Sequence, residues 1–167
     1  EESAYSGLRS TGEETPTIKR KLKAEREGDG DSHPIARTIL VSEHGPTHID
    51  SLTHVDPTSD GSIDCLPLDR FYGDGIGVDV SHVDDGFITK DDIQTSLKEH
   101  TLEIREGDAI TLYTGHREAH YEVGDVQEKF TYFYDAPGLD KEAAYWLGEE
   151  GVQNIGIDGP SIDHGSA

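Results

Sequence analysis

The alternation of short apolar runs with capped, helix-like segments is what most limits the fold of this chain. Residues 38–42 (TILVS), 75–81 (GIGVDVS), 108–114 (DAITLYT) and 154–158 (NIGID) are dense in apolar and β-prone residues. Two segments between them open like helices. Thr89 stands three positions before Asp92, a capping-box spacing that predicts a helix over 90–99. Asp140 is placed to cap a helix over 141–150, which Gly151 then stops. Residues 56–61 (DPTSDG) form a turn-rich loop. Strands that alternate with helices in this order predict an α/β fold, with a mixed β-sheet and flanking helices.

At 167 residues the expected organisation is a single domain spanning 1–167. Leu, Ile, Val and Phe make up only about a fifth of the chain, close to the composition of disordered proteins. The regular pattern from about residue 35 onward argues for order there; residues 1–14 and 28–31 are expected to be disordered. The chain carries 35 acidic against 14 basic residues, a net charge of -21. Such a field repels nucleic acid and anionic membranes, so neither is an expected partner. The acidic residues run from Glu1 to Asp163 rather than forming a tail, which suits a solvated anionic surface and a halophilic source. The melting temperature is therefore expected to rise steeply from dilute to molar KCl, as screening relieves self-repulsion; a flat curve would contradict the halophilic reading. The single cysteine, Cys65, excludes an intrachain disulfide and points to a reducing, cytoplasmic compartment. It is expected to be buried. No apolar run approaches the roughly 18 residues of a membrane span, and no signal-peptide pattern opens the chain. The absence of methionine leads us to expect a sequence clipped at its ends.

Three of the nine histidines fall within HGPTHIDSLTH, residues 44–54. His44, His48, Asp50 and His54 all share even parity, so an extended segment would point all four side chains one way. A helix would turn Asp50 away from His48 by roughly 200°, and Pro46 also opposes a helix. Imidazole and carboxylate without sulfur suit Zn²⁺ or Mn²⁺. Three such ligands leave coordination positions open, as a catalytic site requires, and an aspartate can bridge one ion to a second. Spacing leaves His54 open as a further ligand or a general acid/base. Elsewhere, His116 and His120 are expected to be loop histidines despite their helical spacing, and His82 a strand-end hydrogen-bonding residue. Asp158, Ser161 and Asp163 suggest turn chemistry. Phe130, Tyr132, Phe133 and Tyr134 suggest a substrate wall or a subunit contact, with core packing or interface burial the commoner fate of such residues.

HGPTHIDSLTH resembles the signature H-x-G-T-H-x-D-x-x-x-H of the cyclase family of metal-dependent hydrolases, which includes kynurenine formamidase and isatin hydrolase. The likeness continues through DGSIDCLPLDRFYGDGIGVDVSH, GDAITLYTGH and GLDKEAAYWLGEEGVQNIGIDGPSID, covering about residues 38–163 in family order. It implies a swivelling β/β/α fold, with His44, His48 and Asp50 as metal ligands, Asp50 at the bridging position, and His54 as the proton-transfer residue. It further implies a cofactor of one or two divalent ions, no organic cofactor, and a small-molecule amide substrate. The leading specific activity is that of an arylformamidase converting N-formylkynurenine to kynurenine and formate in tryptophan catabolism. The alternatives are a cyclic imide, lactam or lactone hydrolase, or a non-catalytic metal-binding or assembly protein. A homodimer or homotetramer is the expected assembly. There are departures from the family pattern. Pro46 stands where the family has glycine. The family's further histidine and glutamate lie beyond the GIDxPSxD segment, and His164 comes too early to be that histidine. The family's opening strand is not recognisable either, so the chain is expected to be clipped at both ends.

Overall fold

The computed structural model describes residues 9–10, 13–14, 18–22, 36–40, 44, 47–83, 86–121 and 126–164. The chain divides into two compact units, Glu1–Cys65 and Leu66–Ala167.

The first unit contains two antiparallel pairs. Strand β1 (Arg9–Ser10) pairs with β2 (Glu13–Glu14), inside the segment expected to be disordered; β3 (Ile18–Leu22) pairs with β4 (Ala36–Leu40). The run expected at 38–42 is thus seen two residues earlier, and 41–42 lie outside the described residues, as do 28–31. Helix α1 (Leu52–Val55) follows. The loop after it is held by Asp56, whose Oδ1 accepts from the Thr58 backbone N–H at 2.9 Å and the Thr58 hydroxyl at 2.6 Å. Those two bonds hold the Asp56 carboxyl below the usual carboxylate range. Gly61 closes the loop: a Cβ there would meet Leu52 Cβ and Cδ1 at 2.9 Å, so the loop lies directly against α1. Cys65 is exposed, against expectation: it stands in a surface turn, its backbone N–H donating to Ser62 O at 2.9 Å.

The second unit is built on parallel strands. Its elements are a 3₁₀ turn (Leu68–Phe71), β5 (Gly75–Asp79), β6 (Phe87–Ile88), α2 (Lys90–Glu99), β7 (Ala109–Tyr113), α3 (His116–His120), α4 (Val126–Tyr134), β8 (Gly138–Leu139), α5 (Lys141–Glu149) and β9 (Asn154–Ile157). The main sheet runs β5-β7-β9, all parallel, with Ile76 beside Ile110 and Leu112 beside Ile157; β6 and β8 form a second parallel pair. Parallel neighbours require crossovers, and α2 and α5 supply them. Alternation along β7 buries Ile110 and Leu112 and exposes Thr111 and Tyr113. Helix α2 covers the buried side with Ile93 and Leu97, and α5 with Ala143, Trp146 and Leu147. In both helices the buried residues fall at i, i+3 and i+4, all apolar in α5, with Ser96 at the middle position in α2. Full burial of each such aliphatic side chain is worth about 1.5–3 kcal/mol.

The helix ends follow the sequence closely. The Thr89 side chain accepts from Asp92 N, and the Asp92 carboxylate accepts from Thr89 N at 2.8 Å, completing the capping box. Asp140 Oδ1 accepts from Ala143 N at 2.6 Å. Gly151 follows α5 at φ +80, a left-handed conformation in which a Cβ would also meet Glu106 Cγ at 2.9 Å. Together the two units make a mixed α/β chain, with antiparallel pairs in one and parallel sheets in the other.

Candidate metal centre

The residues of HGPTHIDSLTH that carry ligand atoms converge. His44 Nδ1 lies 3.0 Å from His48 Nε2 and 3.2 Å from Asp50 Oδ1, and His48 Nε2 lies 3.4 Å from the same oxygen. Around an ion with bonds of about 2.1 Å, ligand atoms stand ~3.0 Å apart on an octahedral edge and ~3.4 Å apart on a tetrahedral edge. The three distances fall within that range, so the donor set fits a divalent ion such as Zn²⁺ or Mn²⁺. Among the described residues this is the one group of three or more histidine, cysteine or carboxylate side chains able to hold an ion. The rings of His44 and His48 meet edge to face, with centroids 5.0 Å apart. The set is open to solvent: His44 is half-buried, while His48 and Asp50 are exposed, as a site that keeps coordination positions for water requires.

Local structure explains the convergence in two steps. Residues 48–50 form no helix or strand, and His48 and Asp50 stand two apart, as the period of an extended segment requires. Ser51 is still extended (φ -88, ψ 166), but the chain then turns into α1. His54 therefore reaches the site through a helical turn closed by its N–H donating to Ser51 O at 3.0 Å, and not by strand alternation. Its ring packs on that of His44, with centroids 4.3 Å apart and planes at 48°. His54 is not one of the three converging donors. Helix α1 ends at Asp56, in extended conformation, because Pro57 disfavours a helical residue before it. Gly45 and Pro46 lie outside the described residues.

The histidines of the second unit serve other ends. His82 Nε2 pairs with Asp92 Oδ1 at 2.9 Å, the strand-end role expected of it. His116 and His120 sit on helix α3, not in a loop, with ring centroids 4.7 Å apart. The sequence obscures this helix because it opens on Gly115 in a left-handed conformation (φ 73), with no side-chain cap. What fixes its start is Asp158, which accepts from Thr114 N at 2.9 Å, Thr114 Oγ1 at 2.7 Å and Gly115 N at 2.9 Å. Asp158 thus acts across more than forty positions rather than within its own turn; the Asp163 N–H does keep to the local turn, donating to Ser161 Oγ at 3.2 Å. His164 packs against Phe87, ring centroids 4.7 Å apart. Of the aromatic run, Tyr132 is buried, while Phe130 and Tyr134 are exposed.

His116 is only 4% exposed, and its Nε2 donates to the Tyr132 carbonyl at 3.1 Å. The bond to a carbonyl assigns the proton to Nε2, which leaves Nδ1 buried with no hydrogen-bond partner. Burial first, and His120 beside it, hold the His116 pKa below its ordinary 6.5, against the Tyr132 and Thr131 carbonyls and Asp158. A depressed folded-state pKa means that the unfolded chain binds the extra proton first. Stability is therefore full above about pH 6.5 and falls as pH drops through the folded value. Denaturant melts of the wild type are expected to weaken in that window, and those of His116→Gln to weaken less. Equal slopes for both would contradict this.

A family model described as "Putative cyclase" matches residues 9–164. Solved structures with a similar fold include a "novel cyclase" (TM-score 0.69, 16% identity, covering 89% of this chain and 60% of that one). An isatin hydrolase bound to the product analogue thioisatinate is also similar (TM-score 0.67, 22% identity, 93% and 62% covered). So is isatin hydrolase A from Ralstonia solanacearum (TM-score 0.67, 22% identity, 96% and 64% covered). At these identities the likeness is one of fold, and the chain spans 60 to 64% of the length of these solved chains. No curated protein matches. No helix among the described residues is long and apolar enough to cross a membrane.

Proposed function

From the premise that this chain belongs to the cyclase family, we propose that it is a metal-dependent hydrolase of carbon-nitrogen amide bonds, with both units parts of one domain. The observation that carries this reading is the convergence of His44 Nδ1, His48 Nε2 and Asp50 Oδ1 at mutual distances of 3.0 to 3.4 Å. A divalent ion held there would supply Lewis acidity toward a carbonyl and would make water nucleophilic near neutral pH. The two imidazoles and the carboxylate fix its position. An imidazole nitrogen of His54 takes the proton of the attacking water and returns it to the leaving amine. The packing of His54 on His44 keeps it beside the ligands, while its place outside the donor set leaves its nitrogens available for proton transfer.

Two substrate classes follow. The first is an open-chain N-formyl aryl amide, as in an arylformamidase acting on N-formylkynurenine. The second, a cyclic amide, is supported by the fold shared with isatin hydrolases. Hydrolysis of N-formylkynurenine and of isatin by the zinc- or manganese-loaded chain tests the proposal. Turnover of either supports an amidohydrolase and separates the two classes. Tight metal binding without turnover of either compound, or of a wider panel of amides and lactones, would overturn it in favour of a metal-binding protein.

A further inference from the structure

His54 stands beside the metal ligands on a helix that cannot support itself. Helix α1 has four residues, none of them buried, and no side-chain cap at Ser51. A single turn is unstable in water, because it fixes several backbone dihedral angles for one hydrogen bond. Its orientation therefore depends on what packs against it, and the loop over 56–61 closes on it like a buckle. The Asp56 N–H donates to Leu52 O at 2.9 Å, ending the helical turn. Asp56 then starts the return: its carboxylate holds Thr58, and its carbonyl accepts from Ser59 N at 3.0 Å. The Ser59 hydroxyl accepts from Gly61 N at 3.1 Å, which brings Gly61 back against Leu52. The Gly61 backbone is not left-handed, so space and not backbone strain calls for glycine there. A Cβ at 61 would lie 2.9 Å from both Leu52 Cβ and Leu52 Cδ1.

Leu52 and His54 are two residues apart, about 200° around a helix, so they project from opposite sides of α1. The loop bears on the Leu52 side. The His44 ring lies on the His54 side, with centroids 4.3 Å apart. Helix α1 is thus held between the loop and one of the proposed ligands. We infer that Gly61 is a positioning residue for His54: the close approach of the loop to Leu52 sets where the proton-transfer imidazole stands beside the ligands. A methyl group at 61 would have to move α1 and the loop apart by about 0.6 Å or more to reach the usual 3.5–4.0 Å of carbon contacts. A misplacement of about 1 Å can cost about 10²-fold in rate. The inference rests on the hydrolase reading of His54.

Two readouts on the zinc-loaded chain test it: NMR of the histidine rings and amide hydrolysis. The wild type is expected to show a nuclear Overhauser effect between the His44 and His54 rings. Gly61→Ala should weaken that effect and lower kcat about ten- to hundredfold, with zinc content and KM unchanged. Gly61 lies outside the hydrophobic core, so the variant should remain folded, which circular dichroism checks. Adding Leu52→Gly removes both atoms that the new methyl group meets. The double variant should therefore regain the ring contact and most of the lost rate. A Gly61→Ala chain with the wild-type kcat would overturn the inference. So would a loss of rate matched by a loss of zinc, or a double variant no faster than Gly61→Ala alone. If the wild type hydrolyses no amide, the hydrolase reading fails, and the response of the ring contact to the two variants decides the positioning by itself.

Discussion

His48→Ala is expected to strip the divalent ion from the chain and to remove hydrolysis with it. Removing even an outer partner of a metal ligand typically costs 10- to 100-fold in affinity or activity, and His48 is proposed as one of three direct ligands. Its Nε2 is 3.0 Å from the nitrogen of His44 and 3.4 Å from the oxygen of Asp50, so its loss leaves two donors and a widened gap. The residue is exposed and outside the hydrophobic core, so circular dichroism should be unchanged. Elemental analysis after gel filtration reads the metal, and amide hydrolysis reads the rate. Retention of a full complement of metal by the folded variant would remove His48 from the ligand set.

His54→Ala is expected to separate those two readouts. It should lose about 10² to 10⁴ in rate, the usual contribution of a positioned general acid/base, while keeping most of its metal. The separation is expected because the His54 ring packs beside His44 and is not among the converging donors. Asp50→Ala, by contrast, should behave as His48→Ala. If His54→Ala empties the site as thoroughly as His48→Ala does, then His54 is a ligand and the proton must be moved by another group.

What was legible in the sequence was what local chemistry dictates. The capping box at Thr89 and Asp92 located α2 to the residue, and Asp140 located the start of α5. The apolar runs located β5, β7 and β9 with only one or two terminal residues in excess. Where order depends on distant partners, the sequence was silent. Strands β6 and β8 are two residues each and pair with partners far along the chain, β6 with β8 and β8 also through Leu139 with Asp163. Helix α4 ends in FTYFY, aromatic residues that local propensity places in strands as readily as in helices. Helix α3 begins at an uncapped glycine fixed by Asp158 from far along the chain; the four-residue spacing of His116 and His120 was the signal available for it. In the candidate site, parity put His48 and Asp50 together, as period two requires. Parity gave no hint that His54 arrives on a helical turn: α1 is only four residues long, and Ser51 at its N-cap makes no side-chain cap bond, its Oγ meeting Thr53 Oγ1 at 2.7 Å instead.

The metal centre itself is tested most directly by anomalous diffraction from crystals of the chain grown with zinc or manganese. The expected result is a peak about 2.0–2.2 Å from His44 Nδ1, His48 Nε2 and the Asp50 carboxylate, with His54 nearby and unbonded to it. A bound ion located away from all three would contradict the account.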